Sequence, residues 1–190
     1  MASLFRIDEF KSQLKNGGAR PNQFQVRIGF PDYVTQNRVL LESSSFLVTV
    51  AELPGQTIGT TPVFYRGREV KLAGDKVFAP FQCTILNDTD FKLRNGIEEW
   101  MNGIENNEIK TGRTSPTLYQ KIIEVMQLDR NGATLRSYKM FGAFPVDISP
   151  VGLDFSANDQ LSTFTVSFQY QNFTYGQTTA TSITNSTVLG

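Results

Sequence analysis

Hydrophobic and polar residues alternate most strictly near the C-terminus, where Phe164, Val166, Phe168 and Tyr170 take one side of a period-two pattern and Thr163, Thr165, Ser167 and Gln169 the other. This predicts a β-strand with one face in the core and one small, neutral, polar face outside it. Each of the four large side chains contributes about 1.5–3 kcal/mol when fully buried, so all four are expected core anchors. The same period appears at Phe24, Val26, Ile28 and Phe30, and again at Phe46, Val48 and Val50, which Leu53-Pro54-Gly55 closes. Residues 31–45 between them are polar and irregular and are expected to form an extended loop. The Gly-, Thr- and Pro-rich stretch from Gly55 to Pro62 is expected to be a second loop.

From Tyr65 to Asn87 the pattern predicts a hairpin. Val70 and Leu72 alternate with Glu69 and Lys71, Phe81, Cys83 and Ile85 alternate with Gln82 and Thr84, and Ala73-Gly74-Asp75 supplies the expected turn. Two further strands, Ile122 to Leu128 and Leu135 to Phe141, are joined across Asp129-Arg130-Asn131-Gly132, whose Asn-Gly pair is a strong hairpin signal. A last unit starts at Phe144-Pro145, continues through Val146, Ile148, Val151 and Leu153, and turns at Ala157-Asn158-Asp159-Gln160 into the final strand.

Helical spacing occurs twice. Leu4, Ile7, Phe10 and Leu14 predict a short N-terminal helix over 4–14, ended by Asn16-Gly17-Gly18. Ile97, Trp100, Met101 and Ile104 fall at i, i+3, i+4 and i+7 and predict the main helix, about 90–104, with Asp88 or Asp90 able to cap it. Trp100 on that stripe reads as a packing anchor. The polar stretch 176–190 has no periodicity and reads as a tail to a single domain, 1–175. By pattern alone, the fold class is mainly β: a sandwich or barrel of two antiparallel sheets with one main helix.

Composition narrows the function. A chain of 190 residues is long enough for one domain with a real core. Lys+Arg and Asp+Glu both number 18, so net charge points neither to a nucleic-acid groove nor to an acidic tail. Cys83 stands alone and in phase with Phe81 and Ile85, the position of a buried structural thiol. The N-terminus lacks an apolar signal segment and no stretch reaches the length of a membrane span, so a soluble, cytoplasmically made protein is expected. With no histidine, His-based triads and His metal sites are absent, and neither a Walker loop nor G-x-G-x-x-G occurs. Adjacent Glu98 and Glu99 diverge by about 100° on a helix and do not face one another. No enzyme activity, metal or cofactor is expected. Arg66 and Arg68 share a strand face at i and i+2 with Lys71 on the other, a weak basic patch better suited to a solvated or subunit-pairing face than to phosphate.

The run Arg66-x-Arg68-x-Val70-Lys71-Leu72-Ala73-Gly74-Asp75-x-x-Phe78, followed by Ile85-Leu86-Asn87-Asp88, resembles the tail tube proteins of contractile-tailed, T-even-type bacteriophages. Ala19-Arg20-Pro21-Asn22 leading into Phe24-Gln25-Val26, then Leu53-Pro54-Gly55, then Phe144-Pro145, agree in kind and order, so the resemblance runs from about Ala19 to Tyr175. Two parts depart from it, the longer 31–45 segment and the Thr/Ser-rich tail. The resemblance implies subunits that join into hexameric rings around a continuous β-barrel lumen. Rings stack into a tube inside a contractile sheath, with sheath, baseplate and tail terminator proteins as partners and double-stranded DNA passing without sequence-specific binding. It implies a structural virion protein, assembled in the host cytoplasm. Such a bore should not be basic, because arginines facing DNA would hold it by counterion release. Thr163, Thr165, Ser167 and Gln169 are therefore the expected lumen lining, and Gly55, Gln56, Thr57, Ile58, Gly59, Thr60, Arg66 and Arg68 the expected inter-subunit or inter-ring residues. Two other readings stay open: the tube subunit of a type VI secretion-like or phage-like contractile injection particle, and a monomeric β-sandwich binding carbohydrate or a receptor.

Overall fold

The computed structural model describes residues 7–13, 18–106 and 112–177. In chain order its elements are α1 (Ile7–Gln13), β1 (Phe24–Ile28), α2 (Asn37–Leu47), β2 (Val48–Ala51), β3 (Gln56–Tyr65), β4 (Arg68–Phe78), β5 (Phe81–Leu86), α3 (Lys92–Ile104), α4 (Pro116–Tyr119), β6 (Lys121–Leu128), β7 (Thr134–Ile148), β8 (Thr163–Gln169) and β9 (Asn172–Gln177). Leu4, Leu14 and the Asn16-Gly17 stop expected at the N-terminus lie outside the described residues, as does the tail from 178.

Seven strands form one antiparallel sheet in the order β1-β6-β7-β8-β5-β2, with β9 paired to β7 beside that path. The 15-residue β7 makes this possible. Its first part pairs with β6 and β9 and its last part with β8, so one strand serves two sheet halves that curl around a common core. The change of partner falls at a bulge. Between Ile123↔Met140 and Lys121↔Ala143, β7 advances one residue more than β6, and Gly142 takes φ 65 there, a conformation glycine adopts without a Cβ penalty. The Asp129–Gly132 turn joins β6 to β7 as its sequence predicts, with the Asp129 N–H donating to Ala133 O at 2.7 Å. Among the described residues β1 and β2, the two ends of the path, pair on one side only, so the barrel is open in the monomer.

Period-two alternation places Val26 and Ile28 of β1, Ile123 and Val125 of β6, Phe81, Cys83 and Ile85 of β5, and Phe164, Val166 and Phe168 of β8 in the core. Helix α3 adds Leu93, Ile97 and Trp100. Trp100 is fully buried; its ring lies 5.6 Å from Phe30 and 6.1 Å from Phe168, and its Nε1–H donates to Tyr119 O at 2.9 Å, which satisfies the one polar atom it buries. At the start of α3 the N-cap position is Phe91, at φ 52 and without a capping side chain, and neither Asp88 nor Asp90 occupies it; the Asp88 carboxylate reaches in from outside the helix and accepts from the Lys92 N–H at 3.0 Å. Cys83 is buried as its phase predicts, and burial pushes its thiol up to about 12. It should resist alkylation in the native protein and react at once in denaturant; rapid native labelling would show that β5 opens.

Three expectations fail. The 31–45 segment is not an extended loop: 37–47 is helix α2, and Phe46, expected on an inward strand face, is 83% exposed at its end. The buried side of α2 reads Leu40, Ser44, with Leu47 half-buried, and the serine interrupts the apolar period that would mark a helix. Ser44 is buried for a reason. Its Oγ accepts from the Ile28 N–H at 3.0 Å and donates to Leu41 O at 2.7 Å, covering a ladder group on the outer edge of β1. Ser44→Ala leaves that N–H without a partner, costing about 1–3 kcal/mol against the roughly 0.5 kcal/mol recovered from alanine's helix propensity. A lowered urea midpoint with unchanged slope should result.

The hairpin is the second correction. Ala73-Gly74-Asp75 does not turn; β4 runs through it and pairs with β3, the stretch expected to be a loop, while β5 belongs to the other sheet. The reversal is Arg66-Gly67, both at positive φ, 48 and 79, the pattern of a type I′ turn. Gly74 instead marks a bulge: β4 carries one extra residue between Ile58↔Lys76 and Thr60↔Ala73, and a Cβ on Gly74 would come within 3.2 Å of the Gly59 backbone. Pro62 is tolerated because a two-stranded ribbon has only outer edges beyond its one shared ladder. The third correction follows: Arg66 lies in the turn, with its guanidinium 5.4 Å from the Tyr65 ring, and does not share a strand face with Arg68.

Candidate assembly and lumen surfaces

The β8 residues proposed to line a bore share one face. Thr163 is exposed, Thr165, Ser167 and Gln169 are half-buried, and each alternates with a buried anchor, Phe164, Val166, Phe168 or Tyr170. Antiparallel register sets Thr165 opposite Thr84, Ser167 opposite Gln82 and Thr163 opposite Leu86 on β5. The Thr84 and Thr165 hydroxyls are 3.2 Å apart, a cross-strand hydrogen bond that adds to the ladder. Gln82 and Thr84 thus extend the polar face across a second strand. Their alternation with Phe81, Cys83 and Ile85 is visible in the sequence; that β5 pairs with β8, a strand far along the chain, is not. Farther around the sheet the outward face is charged, with Arg27, Glu124 and Lys139 in one cross-strand row and Lys139 Nζ 3.5 Å from Glu124, which leaves the row with one cation in excess.

The second surface is the β3–β4 hairpin. Gln56, Thr57, Ile58, Gly59 and Thr60 all lie in β3, with Gly55 just before it, and nearly every residue of the ribbon is exposed. Register pairs Thr61 with Leu72, Val63 with Val70 and Tyr65 with Arg68 on one face, while Ile58 with Lys76, Pro62 with Lys71 and Phe64 with Glu69 occupy the other. One face is therefore an apolar stripe with an arginine end, the other mixed and charged. At about 3.3 Å per residue the paired length is about 30 Å. The ribbon's base is held: the Ala79 N–H donates to Gly55 O at 3.2 Å, and Phe78 packs 5.8 Å from Tyr170 and 5.6 Å from Phe173. A free ribbon with seven exposed large apolar side chains, Ile58, Val63, Phe64, Tyr65, Val70, Leu72 and Val77, has a surface made to be covered.

An open barrel wall whose end strands each pair on one side only among the described residues, together with an exposed apolar ribbon, gives a β fold that is shared with components of contractile injection machines. The fold is shared with a chain of the anti-feeding prophage tube-terminating cap, at a TM-score of 0.63 and 17% identity over 84% of this chain and 91% of that one. It is also shared with a chain of the PVC extracellular contractile injection system sheath–tube complex in its extended state, at a TM-score of 0.53 and 15% identity over 87% and 97%. The chain belongs to the phage tail tube protein family, whose model matches residues 19–176. Among its relatives, the tail tube protein gp19 of Enterobacteria phage T4 is 29% identical over 164 residues, 84% of this chain and 94% of that protein. The tail tube protein of Serratia phage KSP90 is 26% identical over 166 residues, 86% and 93% of the two chains. As a tail tube protein, the chain is a structural component of a virion.

Proposed function

We propose that this chain is the major tail tube subunit, closing into hexameric rings that stack into a DNA-conducting tube inside a contractile sheath. The observation that carries the reading is the open barrel: among the described residues β2 and β9 each pair on one side only, and head-to-tail addition of a neighbour's strands would continue the ladder around a ring, the outer edge of β1 being covered by α2 through Ser44. The neutral face of Gln82, Thr84, Thr163, Thr165, Ser167 and Gln169 suits a bore through which DNA slides. The hairpin, Gly55 to Thr60 and Arg66 and Arg68 included, bridges successive rings. Sheath, baseplate and terminator proteins are the partners this role requires, with assembly in the host cytoplasm, and the role is mechanical, not catalytic. DNA is the favoured cargo over protein because the sequence relatives are phage tail tube proteins. Negative-stain electron microscopy of the purified protein over a concentration series tests the proposal. Hollow tubes or stacked rings at high concentration are expected; monomers at every concentration, even with baseplate components added, would return the chain to the single binding module.

A further inference from the structure

Strand register fixes where the hairpin leaves the body, and an unclaimed surface lies at the opposite end. The hairpin joins at the start of β5, where Phe81 pairs with Phe168 near the end of β8. At the other end of the same two strands Leu86 pairs with Thr163, and there the 151–162 loop closes against the body, with the Asn87 N–H donating to Ser162 O at 2.9 Å. About 17 Å of paired strand separates the two ends.

That loop exposes an unusual set of side chains. Phe155 is fully exposed, Leu153 is 92% and Leu161 73% exposed, although each would be favoured in a core. Interspersed with them are Asp154 and Asp159, and 151–162 contains no Lys or Arg. The hairpin has the matching character: over 56–78 four basic side chains, Arg66, Arg68, Lys71 and Lys76, outnumber Glu69 and Asp75, and its stripe of Val63, Val70 and Leu72 is apolar. Two patches that match in apolar character, oppose in charge and sit at opposite ends of one molecule form a heterologous contact, and such a contact repeats without closing when copies stack along an axis.

We infer that the 151–162 loop is the docking surface for the β3–β4 hairpin of a second copy of this chain in the next ring, with Leu153, Phe155 and Leu161 covering the apolar stripe and Asp154 and Asp159 facing the arginine tip. This rests on the stacked-ring reading and supplies the partner surface that reading leaves unassigned. It makes stacking directional, since the hairpin end of one ring meets only the loop end of the next.

Cross-linking tests the contact without relying on tubes. Arg68→Cys and Phe155→Cys are made in separate chains, one carrying a mass tag, mixed, and treated with a short bis-maleimide; buried Cys83 adds no background. The mixed dimer should form well above the level of either like-with-like dimer. A mixed yield no higher than the like pairs would overturn the inference. Imaging the parent in the same buffer, with baseplate components added, separates the two failures: tubes without mixed cross-links remove only this docking surface, while neither tubes nor cross-links removes the tube reading as well. In a second test, Asp154→Lys with Asp159→Lys should raise the concentration at which tubes form by roughly tenfold or more, and Arg66→Asp with Arg68→Asp in the same chain should lower it again. Unchanged assembly in the lysine variant, or no recovery in the combined one, would equally overturn it.

Discussion

Phe168→Asp is expected to yield no folded protein. Phe168 is fully buried on the core face of β8, its ring 6.3 Å from Phe81 and 6.1 Å from Trp100. Removing the ring costs about 3–5 kcal/mol in lost packing and cavity formation, and burying a carboxylate with no partner costs several kcal/mol more. Domains of this kind are stable by about 5–15 kcal/mol, so the two losses together consume most or all of the margin. Ser167→Asp, one residue away on the polar face, should fold normally. Circular dichroism and soluble yield of the pair provide the check, and a folded, soluble Phe168→Asp protein would show that the wrong face of β8 has been placed inside.

Replacing residues 57–77 by Asn-Gly should abolish tubes and leave the body intact. Gln56 and Phe78 are register partners at the ribbon's base, so a two-residue turn can join them, and Phe78 keeps its contacts with Tyr170 and Phe173. The deleted residues contribute almost nothing to the core, so thermal unfolding should stay close to that of the parent. Removing only Gly55 to Pro62 would be a poorer experiment, because those residues are mostly one strand of a pair and β4 would keep only its pairing with Val63, Phe64 and Tyr65 among the described residues. Tubes of normal length from the shortened chain would exclude the hairpin from ring stacking.

Where residues state their own burial, the sequence is readable. β8, β1, the β6–β7 turn and α3 follow their periodicity, and Trp100, Phe164, Val166, Phe168 and Tyr170 are all core residues as expected. The failures share a physical cause: burial decided by partners that are distant or absent. Helix α2 hides behind Ser44, whose burial makes sense only once β1 lies beside it with a ladder N–H to satisfy. The β3–β4 ribbon is exposed on both faces, so Val70 and Leu72 look like core residues yet contact little of their own chain. Gly74 carries a turn signal but serves a bulge opposite Gly59, and the true turn at Arg66-Gly67 depends on a positive φ at an arginine, which no composition rule favours. The polar face of β8 is legible as a face; its continuation across β5 is not, because pairing between strands far apart in the chain leaves no local mark.

Helical reconstruction of purified tubes by cryo-electron microscopy would locate every one of these surfaces in the assembly. Hexameric rings are expected, with a β-ladder that continues from subunit to subunit, a bore walled by Thr163, Thr165, Ser167 and Gln169 with Gln82 and Thr84, and hairpins crossing to the next ring. A filament with no bore, or a bore walled by another face with the β8 polar residues directed outward, would contradict this arrangement.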